Sequence, residues 1–144
     1  VSLVLSSCST TEEACAEYDY TSAEAEHACA HVEDGPFGDL GDGDELSNLH
    51  LLYTVELREV DGQYQGELSF VARESAVHAF VFREADLPFA IRSGGEDLCV
   101  VEDTTEGCDD YSAAYLAELE RNQEVTLVIG PTSQPTVRVV AERQ

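Results

Sequence analysis

An antiparallel β-sandwich or jelly roll, preceded by an acidic N-terminal tether, is the all-β fold class that three features of the sequence predict. Apolar residues recur with a period of two over most of the chain after position 48. The alternating runs are short and are separated by polar turns marked by Gly, Pro, Asp and Asn. A chain of 144 residues, 43% of them hydrophobic, is long enough for one domain with a sizeable core and short for two.

Taken in order, Val1–Leu5 read as the last part of an apolar signal-peptide segment. Leu5-Ser6-Ser7-Cys8 has the pattern of a bacterial lipobox: an aliphatic residue, two small ones that a peptidase can grip, and the cysteine that takes the lipid. Residues 1–8 are therefore expected to be a truncated lipoprotein signal. Lipidation at Cys8 would anchor the chain to a membrane, since each buried methylene contributes about 0.8 kcal/mol. Ser9 after the cysteine fits outer-membrane sorting, so the expected location is the cell envelope, outer-membrane anchored or extracellular.

Residues 9–36 are rich in Ala, Glu, Ser and Thr, with no aliphatic side chain larger than Ala before Val32. Glu12–Ala16 and Ser22–Ala30 have helix propensity without an apolar stripe, which predicts an acidic tether with transient or short docked helix. Gly35–Asn48 is turn-rich and opens the domain, 37–144.

From there the strands follow. Leu49, Leu51, Tyr53, Val55 and Leu57 fall on one face, with Thr54, Glu56 and Arg58 on the other. Asp61-Gly62 is a hairpin turn, after which Tyr64, Gly66, Leu68, Phe70 and Ala72 alternate with polar residues. Val77–Phe82 is apolar on both faces and predicts a central strand. The stretches LPFAIR and DLCVV predict two more short strands, and Glu124–Gly130 and Thr136–Glu142 close the series around Pro131 and Pro135. Asp109–Asn122 reads both ways. Tyr111, Tyr115 and Leu119 share a helical face behind a good N-cap, but a strand over Ala114–Leu119 would supply a hairpin partner for Glu124–Gly130, and strand is the expectation.

The formal net charge is −23, all seven basic residues are arginine, and none precedes Arg58. Such a surface repels phosphate backbones, which excludes nucleic acid as a partner. It is suited to solubility in a salty exterior or to collecting cations.

The order of strands resembles the bacterial pre-peptidase C-terminal domain, a secreted jelly-roll-like β-sandwich. The residues that carry the resemblance are Tyr53-Thr54-Val55, the hairpin GQYQGELSF, HAFVFREADLPFAIRSGGEDL and YLAELERNQEVTLVIGP, with a Gly-containing turn after a short apolar run at Leu87–Gly95. It covers about Leu49 to Glu142. Cys29-Ala30-His31, Gly35-Pro36-Phe37 and Gly130-Pro131-Thr132 are similar to a group of acidic bacterial lipoproteins to which no activity is attached. Domains of the first family are mostly accessory modules of secreted enzymes, and this chain carries no enzyme.

Beyond Cys8, four cysteines remain, Cys15, Cys29, Cys99 and Cys108. In an exported chain they read as two disulfides with three possible connectivities. Local pairing of Cys15 with Cys29 and Cys99 with Cys108 is simplest by loop length. The resemblance instead implies Cys29–Cys108, with Cys15 left for Cys99. Disulfide formation removes Cys29 as a thiolate ligand and leaves the histidines. His31 and His50 form the expected nucleus of a transition-metal site, with His27 or His78 as further donors and carboxylates completing the shell. His27 and His31 stand at i, i+4 if their segment is helical. His78, in phase with Phe80 and Phe82, reads as a core histidine. Asp39, Asp42, Asp44 and Glu45 crowd oxygens around two glycines and are the candidate calcium ligands, although the spacing lacks the EF-hand pattern.

No GxSxG, HExxH or phosphate loop is present, and Ser75 near His78 lacks a nucleophile-elbow context. The expected function is a non-catalytic binding or structural module, anchored through its lipid, with a protein partner at the cell surface. No cofactor is required, and calcium or a transition metal is the ion that would fit. A periplasmic Cu/Zn-binding protein using His31 and His50, and a subunit of an extracellular assembly, are the alternatives.

Overall fold

The computed structural model describes residues 18–144. One helix, α1 (Ser22–Asp34), precedes eleven strands: β1 (Phe37–Gly41), β2 (Leu52–Glu56), β3 (Arg58–Val60), β4 (Gln63–Val71), β5 (Ala76–Phe82), β6 (Phe89–Ser93), β7 (Glu96–Asp97), β8 (Val101–Asp103), β9 (Ala113–Leu119), β10 (Glu124–Thr132) and β11 (Thr136–Arg143). They form a six-stranded sheet of order β1-β2-β11-β5-β9-β8 and a five-stranded sheet of order β3-β4-β10-β6-β7. The β1–β2 pair is parallel and every other pair of strands is antiparallel. The two sheets pack face to face as an all-β sandwich.

Burial follows from which layer a strand occupies. In β4 and β10 only alternate residues are buried, because one face looks at water. In β5, β9 and β11 both faces are covered, one by the opposite sheet and one by α1. The inner core gathers Phe70, Phe80, Phe82, Leu127 and Ile129 between the sheets. An outer cluster of Tyr20, Ala25, Ala28, Ala79, Tyr111, Leu116 and Val140 lies between α1 and the six-stranded sheet. Val77–Phe82 is central as its composition predicts, flanked by β11 and β9.

Asp61-Gly62 joins β3 to β4 in a two-residue hairpin with both φ angles positive, 54° and 85°. That geometry matches the right-handed twist of the flanking strands. Residues 113–119 are a strand, but the expected hairpin with Glu124–Thr132 does not form. β9 pairs with β5 and β8, whereas β10 pairs with β4 and β6 in the other sheet. β9 is buried along nearly its whole length, as β5 beside it is, whereas β10 is buried only at alternate positions. The stretch DLCVV likewise divides, Asp97 ending β7 in one sheet and Val101 starting β8 in the other.

Within the stretch expected to be a tether with transient or short docked helix, residues 22–34 form the docked helix α1. Thr21 caps α1, accepting from the Glu24 N–H while the Glu24 carboxylate accepts from the Thr21 N–H, a reciprocal capping box. The buried face is Ala25 and Ala28, whose methyls contribute only about 1 kcal/mol apiece. Alanine registers weakly as an apolar stripe, which is why periodicity did not show this face. The helix is further held by the Cys29–Cys108 disulfide, across a sequence separation of 79, and by the Tyr111 hydroxyl donating to the Ala28 carbonyl at 2.9 Å. On the chain-entropy account a cross-link of that span stabilises by about 4 kcal/mol. Cys99 is also disulfide-bonded; Cys8 and Cys15, with the lipobox and the second pairing, lie outside the described residues.

Candidate metal centre

Four side chains from three parts of the chain converge at one edge of α1. His27 and His31 lie on successive turns of α1 and share its flank. His50 stands just before β2, its N–H donating to the Ala141 carbonyl at 2.9 Å. Its φ of 59° is left-handed, a region that non-glycine residues enter at a cost of about 1–3 kcal/mol and most often at functional sites. Glu142 belongs to β11 and points outward, in phase with Val140, under the helix.

One ligand atom from each of His27, His31, His50 and Glu142 lies within 4.8 Å of all the others. The imidazole centroids are 5.3–5.7 Å apart. Ligand atoms at 2.0–2.1 Å from a tetrahedral ion are about 3.3 Å from one another. Small rotations of the exposed His27 and His50 rings span that difference.

The hydrogen bonds around the cluster fix two of its donor groups and leave one atom of each open. His31 Nδ1 bonds the Gly35 carbonyl at 3.0 Å, which requires the proton on Nδ1 and leaves the Nε2 lone pair directed at the cluster. Gly35 holds that carbonyl in place with φ 68° and ψ −155°, and a Cβ there would meet the Phe37 ring at 2.9 Å. Tyr20 donates its hydroxyl to Glu142 Oε1 at 2.8 Å, leaving Oε2 for the cluster. His31 Nε2 and Glu142 Oε2 are both buried, and neither has a hydrogen-bond partner among the described residues. His50 Nδ1 approaches Glu142 Oε2 to 3.7 Å, outside bonding distance.

The electrostatics match this geometry. Burial pushes the Glu142 carboxyl above its ordinary pKa, a rise opposed by the Tyr20 hydrogen bond and by His27 and His31. Burial lowers His50, and His27, His31 and Arg143 lower it further. The Tyr20 phenol is pushed up, by burial first and then by Glu142, so it stays a donor. Burial is the leading cause of all three shifts: it disfavours charge on the Glu142 carboxylate, the His50 imidazole and the Tyr20 phenolate alike.

The structure thus brings together His31 and His50, the pair singled out from sequence, and adds His27 and Glu142. Glu142 had no sequence signal as a ligand: its phase in β11 places it with Arg138, on a face that would be solvent without α1 above it. His78 stands apart in the inner core, buried, with Nδ1 on the Ala76 carbonyl at 3.0 Å and its ring edge-on to Phe70. Ser75 accepts from the Arg121 N–H rather than facing His78.

The acidic loop is organised differently. Asp42 accepts from the Glu67 N–H and pairs with Arg58, while Asp44 accepts from the Gly41 N–H at 2.7 Å. Asp42 holds the loop against β4, and Asp44 closes it back onto the end of β1. Asp39, Asp42, Asp44 and Glu45 are not among the groups of three or more donors gathered within 4.8 Å in the described residues. The other such group is Cys29, Cys108 and Asp110, whose two sulfurs are bonded to each other. Tyr20 is buried, whereas Phe37 is 59% exposed.

No family model matches the chain, and no curated protein is detectably similar to it. Its chemistry is therefore read from its own residues.

Proposed function

We propose that the protein is an exported, non-catalytic β-sandwich that holds one transition-metal ion, of the Zn(II)/Cu(II) class, on His27, His31, His50 and Glu142. The observation that carries this reading is the pair of buried, unpartnered atoms, His31 Nε2 and Glu142 Oε2, facing the same cluster. A buried polar atom without a partner costs about 1–3 kcal/mol, and a bound cation removes both costs together. Three imidazoles and one carboxylate suit Zn(II) or Cu(II); calcium and magnesium call for more oxygen donors. Disulfides at Cys29–Cys108 and Cys99 support export, as does the lipobox at Leu5–Cys8, which would tether the module to the membrane.

The test is elemental analysis and calorimetric titration of the purified chain with Zn(II) and Cu(II), beside the His31→Ala/His50→Ala variant. One ion per chain is expected for the wild type and none for the variant. Equal uptake by the two, or no uptake by either, overturns the reading. The alternative of a subunit in an extracellular assembly is favoured by one observation, the exposure of Phe37 on the edge strand β1. It predicts an oligomer by light scattering that Phe37→Ser returns to monomer.

A further inference from the structure

The proposed site takes two of its four ligands from α1, so whatever holds α1 to the sheet also sets the site. On a helix of 3.6 residues per turn, Ala25 and Ala28 mark the face toward the sheet. His27 and His31 lie on one flank of that face and Cys29 on the other. Cys29 is bonded to Cys108 in the segment between β8 and β9, whereas the opposite flank reaches over to β11 and the start of β2. Between the flanks the helix contributes the Ala25 and Ala28 methyls, part of Val32, the Ala28 carbonyl that Tyr111 holds, and Glu24, which accepts from Tyr20 and Gln144.

We propose that α1 is a strap fastened on two flanks, with the Cys29–Cys108 disulfide as the positioning element that holds His27 and His31 over His50 and Glu142. Thiol–disulfide exchange at Cys29 then sets how tightly the metal is kept. This rests on the metal-binding reading above. Cys29 is the half-buried partner and Cys108 the buried one, so a thiolate reaches Sγ of Cys29 first. In that step a dithiol attacks Cys29 Sγ, the S–S bond breaks, and the electron pair leaves on Cys108 Sγ, which takes a proton. The second thiol of the reductant then displaces Cys29, giving two cysteine thiols and one reductant disulfide. Released on that flank, α1 undocks and carries both histidines away. Linkage makes the coupling reciprocal at equilibrium: an ion that binds the oxidised form better shifts the thiol–disulfide equilibrium toward the disulfide by the same factor.

The experiment uses the oxidised wild-type chain and a phosphine reductant, which avoids a dithiol's chelation and, for each bond reduced, consumes one phosphine and one water and yields one phosphine oxide and two thiols. Reduction of Cys29 and Cys108 is followed by alkylation and peptide mapping, with and without saturating Zn(II). Zinc is expected to slow reduction of this bond at least tenfold. Co(II) titration of Cys29→Ser/Cys108→Ser is expected to show at least tenfold weaker binding. Hydrogen exchange should find α1 amides losing protection while β5 and β9 keep theirs. Leu127→Ala, placed in the inner core, should bind Co(II) as wild type does, which separates strap loosening from general loss of stability. Should the double variant fail to fold, the zinc-protection arm on the wild type decides. A reduction rate indifferent to zinc, or equal Co(II) affinity in a folded double variant, overturns the coupling and leaves the site standing. No Co(II) or Zn(II) uptake by the oxidised wild type overturns both.

Discussion

The molecule has two interiors, and they are built on different rules. Between the sheets, large side chains such as Phe80, Phe82, Leu127 and Ile129 interlock, and the buried histidine, His78, has its Nδ1 proton on a backbone carbonyl. Beneath α1 the helix sets alanines against Tyr20, Tyr111, Leu116 and Val140, and the buried polar atoms His31 Nε2 and Glu142 Oε2 have no hydrogen-bond partner among the described residues. The inner layer is shaped to specify the sandwich. The outer layer keeps the helix side small, at Ala25 and Ala28, so that helix and sheet approach closely enough for polar side chains to meet across the gap.

The sharpest way to separate the two is to remove volume from the first. Leu127→Ala is expected to cost about 2–5 kcal/mol by chemical denaturation, with metal affinity unchanged in the folded chain. Metal then acts on the second alone: Zn(II) at a hundredfold excess over Kd should stabilise by about 2.7 kcal/mol, and a chelator should return the melting temperature to its starting value. Tyr20→Phe removes the hydroxyl that orients Glu142, and metal affinity should fall about 10–100-fold in calorimetry with the sandwich intact.

Glu142→Gln probes the tension in the outer layer directly. Its neutral amide escapes the burial penalty that raises Glu142 and can donate to His31 Nε2. The metal-free variant is therefore expected to be more stable than wild type, by about 1 kcal/mol, while losing metal. A metal-free variant less stable than wild type would show that the unpartnered atoms carry no strain.

The smallest expected effect is a difference of sign with pH. Burial lowers the pKa of His78, so the unfolded chain binds its proton first. The stability this contributes is complete above about 6.5, the unfolded value, and is lost as pH falls through the folded pKa. Glu142 runs the other way: raised by burial, it favours folding most below its unfolded value and progressively less as pH rises through the folded one. His78→Asn, which retains a donor for the Ala76 carbonyl, should flatten the slope of denaturation midpoint against pH below 6.5; an unchanged slope would assign it to His50, lowered in the same sense.

The inner layer was legible in the sequence because its signal is periodic. Alternation located β2, β4 and β10, the continuous run Val77–Phe82 marked a strand covered twice, and Asp61-Gly62 marked its turn. Sheet membership was not legible: the hairpin expected of β9 and β10 ignored that Ala113–Leu119 is apolar on both faces and so belongs with β5. The outer layer was half visible. His31 and His50 stood out by residue type and His27 by its i, i+4 spacing, but a helix face made of alanine leaves no stripe. Without that helix Glu142 reads as one more solvent carboxylate.

β11 lies in the middle of its sheet, between β2 and β5, and brings Glu142 to the histidines. The site's four donors are thus numbered 27, 31, 50 and 142, and they meet only after this strand has slotted between two partners formed earlier along the chain. Ion capture would therefore report that β11 has taken its place between β2 and β5.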